Sequence, residues 1–255
     1  MLKKTITYLF LIIGMTGAQA QSTRLIIRAK AKDAKFIGTG IGGAYILVKN
    51  HLTGEILAKG LTSGASGNTD LVMKKPVSRW QSITDSTTAK FEANLSIAEP
   101  TFVDIEVLAP VNRKNAAVKA STQTWLIPGK DITGDGIVVE IPGLILDVLY
   151  PNTHEVIKSD TLKNAELKFR VSLTLMCGCP ISKAGVWNSD DIDIQAIVKK
   201  ESVLLQTAPL GLTGHTNIFE GKIKIKSAGN YELTIYAIDR KTGNTGVDKI
   251  NFVIQ

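Results

Sequence analysis

Apolar and polar residues alternate at every second position through much of this chain. In the stretch from Asn230 to Asp239, Tyr231, Leu233, Ile235 and Ala237 alternate with Glu232, Thr234 and Tyr236. A period of two is the mark of a strand with one buried face. Similar alternating or β-branched runs cover residues 24–29, 44–49, 91–97, 101–108, 136–141, 144–149, 166–175, 191–198, 220–225 and 247–254. Clusters of Gly, Asn, Asp and Pro separate them, and no capped helical stretch of about 12 residues competes. The pattern predicts an all-β chain of sandwich type. In TRLIIRAKA, Leu25 and Ile27 alternate with Ile26 and Arg28, which predicts one buried and one partly covered face.

Pro142-Gly143 is a strong turn signal between two apolar strands, and it sets the expected boundary. The expected order is a leader over residues 1–20, a first sandwich over 21–143 and a second over 144–255. Residues 42–71, GGAYILVKNHLTGEILAKGLTSGASGNTDL, contain a strand, a turn at Leu52 to Gly54, a return strand and a Gly/Ser/Asn loop. This segment resembles the transthyretin-like and collagen-adhesin B-type sandwiches. The closing segment SAGNYELTIYAIDRKTGNTGVDKINFVIQ resembles the last hairpin of bacterial immunoglobulin-like domains. Both resemblances imply fold and not activity; the Cys…Trp…Cys spacing of antibody domains is missing.

The first twenty residues have a basic start at Lys3 and Lys4, an apolar run around Tyr8 to Ile13, and an Ala18-Gln19-Ala20 exit. That is the anatomy of a secretory signal peptide cleaved before Gln21. No cysteine stands at the cleavage point, so the expected product is periplasmic or secreted and carries no lipid anchor. Without Lys3 and Lys4, 28 basic residues remain against 23 acidic ones, a net charge of about +5. The lysines are scattered and not interleaved with aromatic residues, which argues for a solvated basic surface and against nucleic-acid binding.

No Gly-x-Ser-x-Gly elbow, His-Glu-x-x-His motif, Walker loop or dinucleotide fingerprint occurs. The glycine-rich stretch Gly38 to Gly43 has neither the lysine nor the following helix of a phosphate loop. Asp190, Asp191 and Asp193 are expected on a solvated strand face, and Asp131, Thr133 and Asp135 in a Gly-rich turn, in preference to calcium loops. The chain therefore reads as a non-enzymatic binding or assembly module with another exported or cell-envelope protein as partner. Recognition of polysaccharide through Trp80, Trp125 or Tyr150 requires those rings on one face, and Trp125 is expected in the core.

Met176, Cys177 and Cys179 form the one reactive constellation. A disulfide across a single residue closes an 11-atom ring and constrains almost no chain entropy, so stability is a weak reason for it. Three readings follow from the residues. The thiolates could bind Cu(I) or Zn, with Met176 as a thioether ligand and His215 or His154 supplied by a loop. The pair could serve thiol exchange, which would make the chain a copper-handling or thiol-redox element. Alternatively, Gly178-Cys179-Pro180 simply turns the chain at an exposed sandwich rim, with Trp187 either shielding the pair or filling the core.

Overall fold

The structure is a computed structural model that describes residues 19–255. The expected leader thus lies outside the described residues, apart from Gln19 and Ala20. Sixteen strands account for most of the remainder, joined by short helical turns. Among the described residues no helix is long and apolar enough to cross a membrane.

The first seven strands pair only with one another. One sheet has the order β4 (Phe91–Ile97), β1 (Gln21–Ala31), β7 (Ile132–Ile141). The facing sheet has the order β3 (Ile56–Leu61), β2 (Tyr45–Asn50), β5 (Thr101–Ala109), β6 (Val118–Leu126). The strongest alternation forms the core: Val103, Ile105 and Val107 of β5 are fully buried, as are Ile46 and Val48 of β2. Each such side chain contributes about 1.5–3 kcal/mol when removed from water.

The other nine strands form the second sandwich. Its sheets run β13 (Gly211–Leu212), β14 (Ile218–Lys224), β10 (Glu166–Leu175), β8 (Leu144–Tyr150), and β12 (Val203–Pro209), β11 (Ile192–Lys200), β15 (Gly229–Asp239), β16 (Thr245–Ile254), β9 (Val156–Ile157). The segment after residue 143 thus splits: β8 pairs with β10 in one sheet, and β9 pairs in parallel with the last strand of the other. This order is the Greek-key arrangement of immunoglobulin-like sandwiches. Tyr231, near the start of β15, stacks on Phe252 and donates from its hydroxyl to Ser227 O at 2.7 Å, four residues upstream. That bond back across the corner is the tyrosine corner of such folds.

Three expectations are corrected. Both faces of β1 are covered, because Leu25, Ile26, Ile27, Arg28 and Ala29 are all buried. Residues 131–136 form no hairpin turn; they open β7 as a bulge between Ile132 and Ile137 where it pairs with β1. Gly136 fits there because a β-carbon, already disfavoured at φ 68°, would stand 2.3 Å from Ile26 O. Trp125 lies outside the core and is 57% exposed.

Candidate functional site

The turn after β10 runs over Met176 and Cys177, reverses at Gly178 (φ 73°), and returns through Cys179 to Ile181. Gly178 N–H donates to Leu175 O at 2.8 Å, closing the turn. Asn217 fixes the return, since its side-chain oxygen accepts from Ile181 N–H and its own N–H donates to Ile181 O. Cys177 and Cys179 are joined in a disulfide. They do not stand at an exposed rim: Met176, Cys177 and Cys179 are all buried.

What covers them is the first sandwich. A β-carbon at Gly178 would lie 3.5 Å from Ile41 Cδ1, so the cysteine turn rests on the glycine-rich stretch Gly38 to Gly43. That stretch is glycine-rich for packing. Side chains at Gly38 and Gly43 would come within 2.3 Å of Gly64 O and 2.6 Å of Thr62 O. Met176 lies against Gly143, at the linker between the sandwiches. Trp187 is buried in the apolar core and also reaches the junction, where its Nε1–H donates to Asp33 O at 2.8 Å across the boundary.

His215 is not brought to the sulfurs. It is exposed, in the loop two residues before Asn217, while His154 is exposed at the opposite turn after β8. Among the described residues no group of three His, Cys, Asp or Glu side chains is arranged to hold a metal ion. Carboxylates of both candidate calcium stretches have protein partners, among them Asp193, which accepts from Gln195 Nε2 at 3.0 Å. Asp191 pairs with Lys241 at 2.8 Å, and its own segment Ser189–Asp191 is a short helical turn preceding β11. Asp131 accepts from Arg24 N–H, and Asp135 accepts from Ser82 Oγ, Thr84 Oγ1 and Ile83 N–H.

A second cluster, not anticipated from the pattern, lies on the outward face of the sheet formed by β3, β2, β5 and β6. Strand alternation sends Phe102, Asp104, Glu106 and Leu108 of β5 outward, opposite Trp125, Gln123, Ser121 and Lys119 of β6. Phe102 and Trp125 have ring centroids 5.0 Å apart, and His51 meets Phe102 edge-on at 5.2 Å. Beside them Gln123 Nε2 donates to Asp104 Oδ1 at 2.6 Å, and His51 Nδ1 lies 3.1 Å from both Asp104 oxygens. The Gln123 bond foremost, with His51 adding and desolvation opposing, holds the Asp104 carboxyl below the usual carboxylate range. In the middle of the face, Glu106 pairs with Lys49 and Lys119. At the far end Tyr45, Leu61, Leu108, Pro110 and Val111 line a cavity of about 620 Å³. The signal for this face was present as Phe-x-Asp-x-Glu against Ser-x-Gln-x-Trp; His51 sits in a turn and joins only through the fold.

Trp80, Trp125 and Tyr150 do not form one aligned row of strand residues. Trp80 lies in the loop after residue 75 with Arg79 over its ring at 4.7 Å, while Tyr150 ends β8 in the second sandwich.

No protein-family model matches the chain, and no curated relative does. Among solved structures it is similar to the fibronectin(III)-like modules of Clostridium thermocellum CbhA, at 8% identity over 92% of this chain and 94% of that one, with a TM-score of 0.28. It is also similar to a chimeric titin Z1Z2, at 8% identity over 93% and 98% of the two chains, with a TM-score of 0.24. An engineered protein gives a TM-score of 0.33 at 15% identity, covering 51% of this chain and 24% of its own length. At these scores the fold assignment rests on the chain's own sheet order.

Proposed function

We propose that the chain is an exported, non-enzymatic binding or assembly module whose recognition surface is the outward face of β3, β2, β5 and β6. The observation that carries this reading is the concentration of aromatic and apolar side chains there. Tyr45, Leu61 and Leu108 stand exposed around a cavity at one end, and Trp125 stands exposed at the other. Apolar patches rimmed by polar side chains are typical of surfaces that receive a partner. The partner class that fits export is another macromolecule of the cell envelope or the exterior.

Site-specific photocrosslinking in cells that export the chain tests this. Crosslinkers at Tyr45 and Leu108 should yield a discrete adduct that a crosslinker at Lys168, on the second sandwich, does not. Identical labelling from all three positions, or none from any, overturns the reading.

The meeting of Cys177 and Cys179 favours a second reading, a thiol-redox or copper-handling element on Met176, Cys177 and Cys179. Titration of the reduced chain with Cu(I) decides it. One equivalent bound, and lost in the Cys177→Ser, Cys179→Ser double variant, supports copper handling; no binding, with the pair inert toward thiol exchange, removes the reading.

A further inference from the structure

We infer that the Trp125 end of this outward face is a carbohydrate site, shaped for a chain of β-linked, gluco-configured pyranoses. The inference rests on the reading that this face is the recognition surface, and names its ligand. Trp125 and Phe102 are register partners on β6 and β5, and Phe102 braces the indole from one side, with His51 closing on the far side of Phe102. The residue nevertheless keeps 57% of its surface in solvent. An indole held in one orientation at the surface is a flat apolar platform.

One register pair further along, Asp104 faces Gln123. Gln123 and Trp125 are two residues apart on one strand face, about 7 Å. That is comparable to the breadth of one hexopyranose residue with its hydroxyl groups. A sugar stacked on the indole therefore brings its hydroxyls to Gln123, Asp104 and His51. These three hold one another by hydrogen bonds at 2.6 and 3.1 Å, so their remaining donors and acceptors are already oriented. A hydroxyl group donates and accepts at once, and a fixed carboxylate, amide and imidazole serve both roles. A gluco-configured pyranose suits this platform, because with its ring substituents equatorial it presents a flat face of C–H bonds. An anionic polymer is disfavoured by the ionised Asp104. A nucleobase would stack on the same ring, but its phosphates would meet that carboxylate, and the neighbouring Lys49 and Lys119 are already paired with Glu106.

Titration of the full chain with cellohexaose, read by tryptophan fluorescence and calorimetry, tests the site. Saturable binding is expected, with sodium polygalacturonate inactive. Trp125→Ala should weaken binding at least about tenfold and Gln123→Ala several-fold, while Lys168→Ala on the second sandwich leaves it unchanged. Trp125→Phe, which keeps a ring, should retain part of the affinity and guards against a folding artefact. Absence of cellohexaose binding, or binding unaltered in Trp125→Ala, overturns the inference. If crosslinks from Tyr45 persist without sugar binding, the carbohydrate assignment falls and the recognition face stands; if both fail, both fall.

Discussion

The guanidinium of Arg28, on the covered outer face of β1, donates to four backbone carbonyls, those of Thr88, Ala89, Gly134 and Asp135. Burial lowers its pKa, and Asp135 and Asp85 act against that shift. The planar fork matters here, since an ammonium group has three donors on one atom and cannot reach carbonyls spread over two segments. Arg28→Lys should therefore destabilise by about 2 kcal/mol in a urea melt, because carbonyls are orphaned although the charge is kept. The two carboxylates give a pH dependence. Hydrogen bonds from Thr87 and Thr88 hold Asp85 below its ordinary value, and bonds from Ser82 and Thr84 do so for Asp135 against the burial that opposes ionisation. Their folded pKa values lie below the unfolded ones, so the stabilisation is complete above the ordinary value of 3.8 and is lost as pH falls below it. The melting temperature should hold steady down to about pH 5 and then drop, and Asp135→Asn should flatten part of that drop. A variant with an unchanged acid limb would remove Asp135 from the account.

At the scale of elements, β7 depends on a single glycine. With a β-carbon 2.3 Å from Ile26 O and φ at 68°, Gly136→Ala must either strain the backbone or break the parallel pairing with β1. A loss of about 2–3 kcal/mol is expected by chemical denaturation, whereas the same change at Gly54, where the added carbon meets nothing, should cost about 1 kcal/mol. The contrast isolates the contact from the glycine conformation itself. Strands such as β10 and β15 were legible because their inward positions are large and apolar at strict period two. Four strands were not, among them the two-residue β9 and β13. In β6 the inward positions are Ala120, Thr122 and Thr124, only half-buried, so the hydrophobic contrast is weak. In β12 the apolar run Val203, Leu204, Leu205 is exposed on a sheet edge and has no alternation to read. The cysteine turn was legible as a local feature, but its burial was not, because the covering residue Ile41 lies far away in sequence. Its disulfide spans so little chain that reducing it should change unfolding free energy by less than about 1 kcal/mol, measured by urea melts with and without a thiol-free reductant. A larger loss would mean that the bond sets the position of the turn against the first sandwich.

The whole molecule is held together by contacts that no local pattern encodes. Asn244, in the loop between β15 and β16, is 1% exposed and spans the boundary. Its side-chain oxygen accepts from Gly143 N–H at 2.9 Å, and its nitrogen donates to Lys32 O at 3.1 Å, a residue 212 positions earlier. Trp187 makes a parallel bond to Asp33 O, and Arg113 of the first sandwich pairs with Asp147 of the second at 3.1 Å. Between these polar ties the buried apolar residues of both sandwiches form one continuous cluster, through Ile141, Leu144 and Met176. The exposed Arg113–Asp147 pair contributes little in water, on the order of 0–1 kcal/mol. Asn244 is different, because truncating this buried side chain strands a part-buried N–H and a part-buried carbonyl together. Asn244→Ala should cost about 2–4 kcal/mol. Since the lost bonds lie between the halves and not within either, the loss should appear as a change in cooperativity. The parent chain is expected to unfold in one calorimetric transition, and the variant, with Trp187→Phe added, in two. If the double variant still unfolds in one step with a unitary calorimetric ratio, the apolar cluster alone couples the sandwiches and the polar ties only orient them. Two resolved transitions would place the coupling in Asn244 and Trp187, and would make the angle between the sandwiches adjustable at two side chains remote from the outward face that carries Trp125.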